Sequence, residues 1–126
     1  MEKRIVEMTG ITPSLVQDAP SIWEVLPSFI AFLGNDILMG HGIDSDLIIL
    51  ARNLLALGKP LLANEYIDTN RFARHVISED EVEKKYSVQT LCAYYHLPCT
   101  AFHRAMADCE AEKLVFESLV DRKSVV

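Results

Sequence analysis

The chain has 126 residues, of which 50% are hydrophobic and 24% charged, and its 12 Lys+Arg against 18 Asp+Glu give a net charge of −6. This is the size of one domain, long enough to build a core without a disulfide or metal scaffold. The acidic balance excludes a basic nucleic-acid coat of the histone type, but not a nuclease whose carboxylates meet nucleic acid through metal ions. Three cysteines, Cys92, Cys99 and Cys109, are odd in number and widely spaced. They point to a reducing compartment rather than a disulfide framework. The start MEKRIVEMTGITPS has no apolar signal region. No run of about 18 apolar residues is long enough to span a membrane. The expectation is a cytoplasmic protein with no membrane contact.

In chain order, residues 1–20 carry turn signals at Thr9-Gly10, Thr12-Pro13 and Ala19-Pro20. Ser21 and Glu24 then have the spacing of a capping box, which predicts a helix start. Ile22, Val25, Leu26, Phe29, Ile30 and Leu33 form its apolar stripe, Pro27 interrupts its hydrogen bonding, and Gly34-Asn35 ends it. Ile37–Met39 reads as a short buried strand. A helix follows over 44–57, with Asp44 or Ser45 as its cap and Gly58-Lys59-Pro60 as its stop. Tyr66–Thr69 reads as a second strand and 70–77 as a helix. The charged run Ser78–Lys85 reads as a solvated loop. Helices over 87–95 and 103–121 close the chain. Strand, helix, strand, helix is the order of an α/β unit with parallel strands. Two short strands are few for a parallel sheet, which is normally covered on both faces. The count therefore predicts a partial sheet.

Some acidic residues stand in costly places. At about 100° per residue, Val115 and Leu119 fall within about 20° of Asp108 and Ala111 within about 60°. Glu110, Lys113, Glu117 and Asp121 lie on the opposite side. Asp108 thus projects from the apolar face and needs a metal, a cation or hydrogen-bond donors there, unless it is salt-bridged at the rim. Asp46 shares its side of the second helix with Ile49, Leu50 and Leu57. It sits in the first turn after a strand, where α/β sheets bind ligands and where the helix dipole also favours an acid. Asp68 is placed to cap the helix after the second strand. His103, at the start of the last helix, reads alone as a surface or capping residue. A zinc site from Cys92, Cys99, His103 and Cys109 lacks the usual ligand spacing.

Three segments together carry more. They are Met8–Thr12 with Val16–Pro20; Met39-Gly40-His41-Gly42-Ile43-Asp44-Ser45-Asp46-Leu47; and Tyr66–Thr69, Leu91-Cys92 and His103–Ala111. In order and spacing they resemble the DnaQ-like 3′–5′ exonucleases of the DEDDh group, which includes the proofreading subunit or domain of bacterial replicative polymerases. The resemblance runs from about residue 4 to residue 120; the His-x4-Asp segment alone is moderately specific, and all the segments in this order are strongly so. It implies an α/β fold of the ribonuclease-H-like type and two-metal phosphodiester hydrolysis from the 3′ end of a nucleic-acid strand. Asp46 and Asp108 match metal-binding acids of the second and third motifs, and the implied cofactors are two Mg²⁺ or Mn²⁺ ions. His103 matches the general base. His41 and Gly42 stand where the second motif meets substrate, and Asp68 matches a supporting position. Carboxylate oxygens suit hard divalent cations, which stabilise attacking and leaving oxygens.

The sequence departs from that pattern in two places. The family's Asp-x-Glu motif lies on its first strand, well before the Thr-Gly-Ile-Thr segment. Here eight residues precede Thr9 and contain no Asp-x-Glu. The resemblance therefore predicts one partial exonuclease domain over 1–126, N-terminally incomplete and lacking the first three strands. In the second motif, Gly42 and Ser45 replace the usual Asn and aromatic residue. An active exonuclease would need acids from elsewhere. A non-catalytic binding or accessory module, or a fragment retaining the fold, is the alternative. The open edge of the 37–39 strand invites pairing, so self-association or a polymerase partner is expected there.

Overall fold

The computed structural model describes residues 2–99 and 103–125, with side chains to residue 121. Two short helices come first: α1 (Lys3–Thr9), closed by Gly10 in the left-handed region, and α2 (Pro13–Val16), capped by Thr12. The sequence signals gave only turns here. Neither helix has a buried residue, so no apolar stripe announces it. Then α3 (Ile22–Leu33) starts at the expected Ser21–Glu24 capping box, carries Pro27 inside and stops at Gly34.

The strands β1 (Leu38–Gly40) and β2 (Tyr66–Asp68) pair in parallel, Met39 opposite Ile67 and Gly40 opposite Asp68. Among the described residues this is the whole sheet, and β1 has a partner on one side only. Between the strands runs α4 (Ile43–Ala56). Its cap differs from the expectation of Asp44 or Ser45. Gly42 occupies that position in the left-handed region without a side-chain cap. Asp44 lies inside the first turn and pairs with Arg71 instead. Asp68 does cap α5 (Thr69–Val76), accepting the Asn70 N–H at 2.9 Å.

The expected solvated loop at Ser78–Lys85 is largely a 3₁₀ turn, Glu79–Val82. Ser78 and Glu81 form a second capping box, and Val82 is buried. One apolar side chain anchors a segment whose charges otherwise read as solvated. Helices α6 (Val88–Tyr94) and α7 (Ala105–Val125) follow.

The main buried cluster lies in the second half, with Leu26, Ile43 and Leu54 buried in the first. Ala73 of α5 and Ile77 at its end, Val82 and Tyr86, Leu91 and Cys92 of α6, and Ala111, Val115 and Leu119 of α7 form one buried cluster. Helical spacing puts the same three α7 residues on the buried side. Phe72 meets Phe116 edge-on, the ring centroids 5.9 Å apart. The Tyr86 hydroxyl donates to the Ile77 carbonyl at 2.7 Å.

Candidate active site

A cavity of about 810 Å³ opens where β1, α3, α4 and α7 meet. Its acidic wall holds Asp46 from α4 and Asp108 and Glu112 from α7, one turn apart. Apolar side chains, Phe29, Phe32 and Leu33 among them, also line the cavity. Two candidate acids 62 positions apart thus face one space, because β1 delivers the start of α4 beside α7.

Asp108 is half-buried, and its Oδ1 accepts the backbone N–H of His103 at 3.0 Å. A hydrogen-bond donor therefore provides part of the compensation this carboxylate required. His103 is exposed and adopts φ +63°, uncommon for a residue with a Cβ. Its backbone is tied to Asp108, and its side chain lies outside the cavity lining.

Asp46 is exposed at the cavity. Asp68 and Gly42 are not among the residues that line the cavity. Asp68 Oδ1 accepts the Gly42 N–H at 2.9 Å while it caps α5, so one carboxylate secures both strand-to-helix turns.

His41 turns its ring inward. Thr69 Oγ1 lies 2.8 Å from Nδ1, and the Tyr86 carbonyl accepts from Nε2, with the Asn70 amide nearby. These partners suit a neutral ring with the proton on Nε2 and the Thr69 hydroxyl donating to Nδ1. Burial lowers the His41 pKa, against the upward pull of the Tyr86 carbonyl and Asp68. What His41 offers the cavity side is its backbone N–H, which donates to Glu112 Oε1 at 3.2 Å.

Glu112 was not singled out in the sequence, although about 40° separates it from Asp108 on the helix. Burial pushes its carboxyl pKa up, the His41 N–H pulls it back, and the charges of Asp108 and Asp46 add to the rise. Burial and then Glu112, Asp108, Asp46 and Glu110 likewise raise Cys109. Three acidic side chains, Asp46, Asp108 and Glu112, thus share one cleft, where a bound cation would offset their charge.

Hard carboxylate oxygens are the right donors for Mg²⁺ or Mn²⁺, and Asp46 and Asp108 fit as part of a ligand set. Among the described residues no group of three or more His, Cys, Asp or Glu is arranged to hold a metal ion. The cysteine–histidine zinc arrangement is thus not formed among the described residues, and the three cysteines are free thiols.

Residues 1–116 match the sequence profile of a family described as exonuclease. The chain belongs to the exonuclease family. This bears out the DnaQ-like resemblance and the α/β, ribonuclease-H-like fold class. The chain is 31% identical over 122 residues to a DNA polymerase III of PolC type from Oceanobacillus iheyensis, covering 97% of this chain and 8% of that protein. It is 36% identical over 110 residues to the PolC-type enzyme of Bacillus subtilis, covering 85% of this chain and 7% of that protein. With the DNA polymerase III subunit epsilon of Aquifex aeolicus it shares 28% over 119 residues, 94% of this chain and 57% of that subunit. The chain therefore spans a small part of the PolC-type relatives and over half of the epsilon subunit. Exonucleases of this family generally use divalent metal ions. Among the described residues, no helix is long and apolar enough to cross a membrane.

Proposed function

We propose that this chain provides the second and third acidic positions of a 3′–5′ exonuclease site acting on the 3′ end of a single nucleic-acid strand. The observation that carries this reading is the convergence of Asp46 and Asp108 on one cavity. These two carboxylates would hold Mg²⁺ or Mn²⁺. A bound divalent cation stabilises the charge that develops on the attacking and leaving oxygens. A second cation requires carboxylates beyond this pair. The imidazole of His103, whose backbone N–H donates to Asp108, would take the proton of the attacking water once its side chain turns toward the cleft. The β1–α4 turn at His41 and Gly42, supported by Asp68, would meet substrate by its backbone, since the His41 ring is engaged by Thr69 and Tyr86. The relatives' names make a polymerase the natural partner, and the free edge of β1 offers a place for it or for a second copy of this chain. The setting that fits this role is cytoplasmic, without a membrane partner.

The test is release of label from a 3′-labelled single strand by the purified chain with Mg²⁺ or Mn²⁺, beside Asp108→Ala. Stepwise release from the 3′ end, abolished by the substitution, is the expected result. No release with either metal would overturn catalysis by this chain. It would favour a second reading, a non-catalytic binding or accessory module. That reading draws on the lack of a three-donor group among the described residues.

A further inference from the structure

We propose that Glu112 is a positioning residue that clamps the β1–α4 turn to α7 and so sets Asp46 against Asp108. Asp46 rides in the first turn of α4, five residues after His41, and Asp108 rides on α7, one turn before Glu112. The two elements belong to different parts of the chain. The Glu112 carboxylate accepts the His41 N–H across 71 positions of sequence. The His41 ring, bonded to Thr69 and the Tyr86 carbonyl, holds the same residue from its other side. The turn is thereby fixed between the α5–α6 region and α7. Removing the Glu112 acceptor frees the turn on the side that faces the cleft, and Asp46 moves with it.

The functional consequence rests on the proposed cation site, so the experiment separates the two. The full chain is compared with Glu112→Ala and Glu112→Gln by amide hydrogen exchange at His41 and by Mn²⁺ binding, read by electron paramagnetic resonance. Glutamine keeps a carbonyl oxygen for the His41 N–H but carries no charge; alanine keeps neither. In Glu112→Ala the His41 amide is expected to exchange about tenfold faster. Mn²⁺ affinity should fall about tenfold, as for loss of an outer-shell partner. Glu112→Gln should restore both. Unchanged His41 exchange in Glu112→Ala overturns the clamp, whatever the metal does. Faster exchange with unchanged Mn²⁺ affinity overturns its role in placing the carboxylates. Equal loss of Mn²⁺ in both variants would make the charge, not the clamp, the active feature. If the unsubstituted chain binds no Mn²⁺, the cation site itself is overturned and the positioning role falls with it.

Discussion

The two halves of this chain bury their apolar residues very differently. From Ala73 to Leu119, nine side chains close on each other in one cluster, with α5, α6 and α7 all contributing. In α1, α2 and α3, Leu26 is the one buried residue, while Trp23, Phe29 and Phe32 stand exposed. Yet α3 has the sharper local signals: a capping box at its start and a glycine stop at its end. Local signals fix where a helix begins and ends, whereas burial depends on what it packs against. The acidic cleft draws its lining from both halves, with residues of α7 from the packed half and of α3 from the exposed half. Asp108 thus rides on a helix anchored in the buried cluster, whereas Asp46 comes from α4 outside it.

The contrast is open to substitution. Leu119→Ala, at a fully buried site, should cost about 2–5 kcal/mol of unfolding free energy in urea titration. A smaller cost would mean that the second half is less tightly packed than its burial indicates. A lesser effect is expected from pH, through His41, which joins the two halves. The unfolded chain protonates this ring near pH ~6.5, and the folded chain only at a lower pH. The His41 contribution is thus full above about pH 6.5 and is lost as the pH falls through the folded value. Urea titrations over this range should show stability falling on acidification, with a flatter dependence in His41→Gln. An equal slope in the variant would remove His41 from the account. The smallest effect is predicted for Phe32→Ala, at 81% exposure, which should stay within about 0.5 kcal/mol. A larger loss would show that the exposed half has a packing partner in solution.

Much of the element order was legible because its signals are local. Ser21 and Glu24 announce α3, Gly58 follows the end of α4, and Asp68 caps α5 as expected. The same box at Ser78 and Glu81 was hidden by the charges around it, since Val82 offers no periodicity from which to infer burial. The cap of α4 was misplaced because Gly42 reaches the left-handed region, a backbone property that side-chain preferences for Asp44 or Ser45 do not report. At the site, helical spacing placed Asp108 among buried neighbours and held the signal for Glu112, which went unused. The inward turn of His41 was beyond reach of the sequence, because Thr69 and Tyr86 lie 28 and 45 positions away.

The central claim is that Asp46 and Asp108 belong to one cation-binding cleft. Its most direct test is an Mn²⁺ titration of the full chain beside Asp46→Asn and Asp108→Asn. The account predicts saturable binding that weakens in each variant by at least about tenfold, the lower bound for losing even an outer-shell partner. The same Mn²⁺ affinity in all three proteins would contradict it.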